Sequence, residues 1–228
     1  MLDTLLAANR SGTPIALLTR LDDGAQVWVD LGQSAGEFDA DDALLVQARA
    51  LLRAERSESV GEGASRVFIH ACVPAPKLLL IGAVHIAQPL ARMAALAGYS
   101  VTLIDPRSAF AERPTFEDFR VLTQWPDEAL ATIAADARTA LVTLTHDPKL
   151  DDPALDWALR SECFYIGALG SRKTHARRLQ RLAARGFTPE QCARIQGPVG
   201  LSIGAVSPAE IAVSILAQQI ESRRGASR

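Results

Sequence analysis

Four short segments of this chain combine residue types that bind or polarise ligands. The first is "LLLIGAVHIAQPL", residues 78–90, which follows the dinucleotide-binding pattern G-x-G-x-x-G/A with one departure. Gly82 takes its first position and Ala87 its last, but Val84 stands where the second glycine lets a pyrophosphate approach the backbone. Ala83 and His85 complete this turn, and the helix start beyond it offers free N–H groups to an anion. Asp105, 23 residues after Gly82, suits the diol of a ribose, or else caps the turn "DPRS". His146 and Asp147 end another apolar run, either as ligand contacts or with Asp147 as a turn residue before Pro148. Finally, "GALGSRKTHARR" supplies Gly170, Ser171, Arg172 and Lys173, a flexible turn followed by cations suited to a phosphate.

These segments are useful only if the fold gathers them. From residue 74 the pattern alternates strands and helices. Strands are expected over 77–82, 99–105, 119–123, 139–147 and 163–170. Helices are expected over 85–98 and 171–185, in "PDEALATIA", and in "ALDWALRS", the last capped by Asp152-Pro153. "TPEQ" and "SPAE" each have capping-box spacing, and the second opens a final helix with Ile211, Ala212, Ile215, Leu216 and Ile220 as its apolar stripe. Such alternation implies a parallel sheet with right-handed crossovers, and ligands of open parallel sheets bind beyond the carboxyl ends of the strands. The four segments fall at those ends. "GPVGLSIG", residues 197–204, reads as an ordered loop that covers the site.

Residues 1–73 have a different pattern. "TPIALLTRLDDGAQVWVDLG" reads as two strands around an Asp-Gly turn, residues 41–55 as a helix, and 65–74 as a strand. The expected fold is α/β: a Rossmann-like parallel sheet with helices on both faces (74–228), preceded by a small α+β domain (1–73).

Composition narrows the function. A net charge of −2 gives no concentrated basic excess for nucleic acid. No apolar run reaches the roughly 18–20 residues of a membrane span, and the N-terminus lacks a signal-peptide pattern, so a cytoplasmic protein is expected. The three cysteines, Cys72, Cys163 and Cys192, form neither a Cys-x-x-Cys pair nor a metal-ligand spacing. Cys163 and Cys192 read as small core residues, and Cys72, at the boundary between the two domains, as the most plausible reactive thiol. No catalytic triad or carboxylate pair is identifiable, and no metal site is expected.

"LLLIGAVHIAQPLARMAALAGYSVTLIDPR", "THDPKLDDPAL", "YIGALGSRKTHARRLQRL" and "GPVGLSIGAVSPAEIAVSILAQQI" together resemble the xanthine dehydrogenase accessory proteins of the XdhC/CoxI family. The resemblance spans residues 77–221. Where the family reads G-A-G-H-[VI]-[AG], this chain keeps Gly82, Ala83, His85, Ile86 and Ala87 and departs at Val84. The resemblance implies a Rossmann-type domain that binds molybdenum cofactor, assists its sulfuration by a cysteine desulfurase, and delivers it to an apo molybdenum hydroxylase. A homodimer is also compatible with it. The family's N-terminal segment G-S-[VI]-S-G-G-C-[VL]-E is missing from "DLGQSAGEFDADDALLVQARALL", so no role of its cysteine carries over. Two further readings stand beside this one. Gly82, Ala87 and Asp105 suit an NAD(P)-dependent oxidoreductase, while Val84 suits a non-catalytic protein with an empty Rossmann pocket.

Overall fold

The computed structural model describes residues 2–107, 109 and 114–225, and the chain divides into two compact units between Pro74 and Ala75.

The first unit opens with a helix that the residue pattern does not announce, α1 (Leu2–Ser11). It continues with β1 (Ile15–Arg20), β2 (Gln26–Val29), β3 (Ser34–Gly36), α2 (Asp42–Ala54), β4 (Glu58–Val60) and β5 (Val67–Cys72). Its strands form an antiparallel sheet in the order β3-β2-β1-β5-β4. The Asp22-Asp23-Gly24 turn works as its chemistry suggests: the Asp23 carboxylate accepts the Ala25 N–H and a two-point bond from Arg20. Asp41 caps α2 by accepting the Leu44 N–H at 2.8 Å. Ala48, Leu51 and Leu52 of that helix pack on Ala16, Leu18, Val27 and Ile69 of the sheet. The short strands β3 and β4 carry no apolar alternation, so the pairing of their neighbours, rather than their own pattern, recruits them.

The second unit is a doubly wound parallel sheet. Its elements are β6 (Lys77–Ile81), α3 (Ala87–Leu96), β7 (Ser100–Ile104), β8 (Arg120–Leu122), α4 (Pro126–Ala131), β9 (Thr139–Thr143), α5 (Pro148–Leu159), β10 (Tyr165–Ala168), α6 (Arg172–Ala184), α7 (Pro189–Cys192), β11 (Ile195–Gln196) and α8 (Pro208–Gly225). The strand order is β11-β10-β9-β6-β7-β8, the dinucleotide-fold order with β6 and β9 at the centre. The unbroken apolar run of β6 follows from burial on both faces. Leu78 and Leu80 join the core under α3 and α8, whereas Leu79 and Ile81 join the opposite core under α4, α5 and α6.

Several elements depart from the sequence expectation. The strand begun at Thr139 ends at Thr143 instead of running to 147, and α5 starts at Pro148 with Asp147 as its cap. Asp152-Pro153 therefore lies inside α5 and does not open it; Asp152 pairs with Arg181. Ile220 is 37% exposed, and the fully buried Gln219 replaces it on the inner stripe of α8. The two-residue β11 lacks any apolar run and depends on pairing with β10. Both capping boxes form: Thr188 with Gln191, and Ser207 with Glu210.

Candidate functional site at the switch point of the sheet

The strand order reverses between β6 and β9, so the crevice of an open α/β sheet lies above their carboxyl ends. Gly82 leaves β6 with φ +104°, a conformation that favours glycine. A Cβ added there would run into Cγ2 of Thr145, so glycine is required by space as well as by backbone. Ala83 donates its N–H to Asp105 Oδ2 at 2.8 Å. Val84 packs partly buried against the α3 side of the core, His85 is exposed, and Ala87, the first residue of α3, is fully buried against the sheet. Ala87 thus serves close helix–sheet packing.

Asp105 follows β7 and is 0% exposed. Its Oδ1 accepts the Arg107 backbone N–H (3.0 Å) and Nε (2.9 Å), and its Oδ2 accepts the Ala83 N–H and the Arg107 terminal nitrogen, both at 2.8 Å. A carboxylate has about four lone-pair positions, and all are taken from within the chain. Burial pushes this carboxyl up, but the bonds from Arg107 and Ala83 outweigh it and hold Asp105 below its usual range. The diol-accepting role read from the sequence has no acceptor left in this arrangement.

After β9, Thr145 donates to Asp151 Oδ1 at 2.7 Å and accepts the Asp147 N–H at 3.1 Å. His146 is exposed and left-handed, with φ +62°, which is uncommon for a residue with a side chain. Asp147 accepts the Lys149 N–H at 2.9 Å as the cap of α5. Of its two readings, the structure realises the capping one. Gly170, with φ +138°, closes β10, and a Cβ on it would lie 3.6 Å from His146 Nδ1. The imidazole of His146 is thereby set beside the start of α6.

Ser171 caps α6, accepting the Thr174 N–H at 3.1 Å. Arg172 and Lys173 occupy its first turn, exposed, with no carboxylate in that turn and no ion pair to a described residue. Arg172 also lines a cleft of about 410 Å³ with Leu169, Gly200, Ser202, Ile203 and Ile211. The loop 197–204 that forms its far wall is firmly held. Gln218 accepts both the Tyr165 hydroxyl (2.6 Å) and the Gly200 N–H (2.8 Å), and Leu201 donates to the Ser214 carbonyl at 3.1 Å.

Beneath this edge lies a buried pair invisible in the sequence. Arg178 and Asp151 are each 2% exposed, 3.8 Å apart, and Arg178 also donates to the Leu169 carbonyl at 2.8 Å. Burial pushes the Asp151 carboxyl up and the Arg178 guanidinium down. The His175 ring, pushed down by burial, sits against Gly197, where a Cβ would collide with it. Asp151, Arg178, Tyr165 and Gln218 all support the site and escape sequence reasoning. Only α6's unusual density of arginines gives a signal, and it points to solvent.

The structure therefore joins Gly82, Ala83 and Asp105 on one side, and His146, Gly170, Ser171 and Arg172 on the other, with Thr145 and Asp147 between them. His85 makes no hydrogen bond to a described residue. Cys72 lies in the first unit, in a cleft with Leu6, Leu17 and His70, and burial pushes its thiol up. Cys163 and Cys192 are buried. No helix among the described residues is long and apolar enough to cross a membrane, and no metal-binding group of His, Cys, Asp or Glu occurs among them.

Comparison with known proteins agrees with this architecture. A family model described as the XdhC Rossmann domain matches residues 78–219. A relative from Bacillus subtilis, named as a probable subunit of xanthine dehydrogenase, is 34% identical over 161 residues, covering 70% of this chain and 47% of that protein. The "Molybdenum cofactor insertion chaperone PaoD" of Escherichia coli is 33% identical over 145 residues, covering 64% of this chain and 39% of that protein. A crystal structure described as a xanthine dehydrogenase from Bacillus halodurans superposes with a TM-score of 0.72 at 26% identity, covering 98% of this chain and 65% of that one. The chain thus spans less than half the length of these curated relatives.

Proposed function

This chain belongs to the XdhC Rossmann-domain family, and on that premise we propose that it carries molybdenum cofactor to an apo molybdenum hydroxylase of the xanthine dehydrogenase or aldehyde oxidase type. The relative named as a molybdenum cofactor insertion chaperone supports the cargo, and the one named for xanthine dehydrogenase supports the client. In this reading the protein has no turnover of its own. It holds the cofactor while a cysteine desulfurase supplies the terminal sulfur, then releases it to the client.

One observation carries the proposal. Cations at a helix N-terminus oppose the helix dipole, yet Arg172 and Lys173 stand there, at the open edge of the sheet, without an ion pair to any described residue. The same helix and its C-terminal cap pair later arginines, Arg178, Arg181 and Arg185, with Asp151, Asp152 and Asp156 of α5. Two such cations, the free N–H groups of the first turn and a pinned glycine loop suit the phosphate of a pterin cargo, with His146 beside it. Charged hydrogen bonds of this kind contribute about 1.5–3 kcal/mol each.

The test is retention of isolated cofactor by Arg172→Ala/Lys173→Ala in equilibrium dialysis, with circular dichroism as the folding control. Loss of about 1.4 kcal/mol already weakens binding tenfold, so at least that factor is expected. A folded double variant with undiminished retention would refute the phosphate site. A wild-type chain that neither retains pterin nor raises client activity would refute the carrier role.

A further inference from the structure

The fold of residues 78–219 is one in which adenine dinucleotides are commonly bound, and the side chains at its switch point do not fit such a ligand. Binding there uses three features. The first is backbone N–H groups on the glycine turn for the pyrophosphate. The second is open space at that turn for close approach. The third is a carboxylate with vacant acceptor positions at the end of the second strand, for the ribose diol.

Each feature is met from within this chain. The Ala83 N–H is committed to Asp105 Oδ2 at 2.8 Å. Thr145 Cγ2 fills the space against Gly82, and Val84 puts a branched side chain where the turn should be bare. Each oxygen of Asp105 accepts two hydrogen bonds, from Ala83 and from the backbone and guanidinium of Arg107. A ligand diol would have to displace a two-point, charge-assisted bond from a carboxylate with no exposed surface, replacing it with neutral hydroxyl donors. That exchange is unfavourable, because the carboxylate would lose its counter-charge while staying buried.

We propose that Arg107 is an internal occupant of the ribose position and closes this Rossmann crevice to adenine dinucleotides. Its guanidinium is anchored on Asp105 after β7 at 2.8 Å, and after that bond the charges of Asp147 and Asp151 beyond β9 also favour its protonated form. The dinucleotide fold is thus kept as a scaffold while its nucleotide-reading carboxylate serves as a structural anchor. Arg107 governs what the crevice excludes, whereas failure of the cargo proposal would appear at Arg172 and Lys173.

The experiment titrates the purified full chain with NADH, NADPH and ADP-ribose by isothermal titration calorimetry. Wild type is expected to show no saturable binding at roughly millimolar ligand. Arg107→Met keeps the alkyl stem but removes every donor, and is expected to bind NADH and ADP-ribose at least about tenfold more tightly than wild type. Adding Asp105→Asn to that variant should abolish the gain. Arg107→Lys, which retains the counter-charge but not the two-point bond, is the second variant should the methionine change impair folding, and a gain is expected there too. Two results would overturn the proposal: wild-type binding of NADH or NADPH in the micromolar range, or a folded Arg107 variant with no gain for either diol-bearing ligand.

Discussion

A carboxylate whose four acceptor positions are filled from within the chain acts as an anchor, and Asp105 is held in that way by Ala83 and Arg107. Because its carboxyl titrates below the unfolded value of 3.8, its contribution to stability is complete above that value and is lost as pH falls through the lower, folded one. Urea midpoints measured from neutral pH down to about pH 3 should therefore fall more steeply for wild type than for Asp105→Asn. Parallel curves would show that the anchor has no energetic role. Gly82 makes a second residue-scale prediction. Gly82→Ala forces a side chain into φ +104° and onto Thr145 Cγ2, and should destabilise the chain by about 2–4 kcal/mol. Thr145→Ser deletes that methyl group but keeps the hydroxyl bonded to Asp151. The double variant should recover part of the loss, with a coupling of about 0.5–3 kcal/mol in a double-mutant cycle. Strict additivity would show that backbone strain alone sets the cost.

At the scale of elements, α5 and α6 divide the basic residues of α6 between structure and surface. Asp152 is almost wholly buried and receives Arg181 through two bonds, at 2.6 and 2.8 Å. Asp152→Ala should cost about 1–3 kcal/mol, read from denaturant unfolding, because Arg181 keeps partial access to water while losing a two-point acceptor. Arg172→Ala/Lys173→Ala should change stability by only a few tenths of a kcal/mol, and in the favourable direction, since these cations oppose the helix dipole. Equal losses in the two cases would mean that the whole helix face is structural. The loop 197–204 belongs to this scale as well. Gly200, with φ +97°, packs where a Cβ would strike Ser214 Oγ, so its wall of the cleft is set by α8 and by Gln218 rather than by the loop's own residues.

At the scale of the whole molecule, the second unit packs two cores on the faces of one sheet, and the candidate binding edge lies where its strand order reverses. On the proposed carrier role, the protein would raise client activity without chemistry of its own. Adding the cofactor-loaded chain to apo hydroxylase is expected to raise hydroxylase activity, while NADH and NADPH have no effect on the transfer. Nicotinamide-dependent transfer would replace the carrier reading with an oxidoreductase one.

Local pattern was sufficient for much of this architecture. The run Lys77–Ile81 reads as a strand buried on both faces, and the spacings of Thr188–Gln191 and Ser207–Glu210 read as helix starts, because each signal is contained within a few neighbouring residues. Gly82 and Gly170 were legible for the same reason, since a turn out of a strand needs particular residue types wherever it occurs, whereas Ser171 was marked for its place at the junction and only the fold makes it the cap of α6. Other features depend on partners distant in sequence. β3, β4 and β11 exist through their neighbours, and Asp147 rather than Asp152 opens α5 because β9 ends at Thr143. The state of Asp105 is decided by register. Pairing Ile81 with Ile104 sets the Ala83 N–H on its carboxylate, and pairing Ile81 with Thr143 brings Thr145 against Gly82. Residue order was enough to mark which side chains stand at the edge of the sheet. Which of them keep their hydrogen-bonding capacity for a ligand depended on the folded arrangement, because an acceptor is exhausted by the atoms around it and not by its neighbours in the chain.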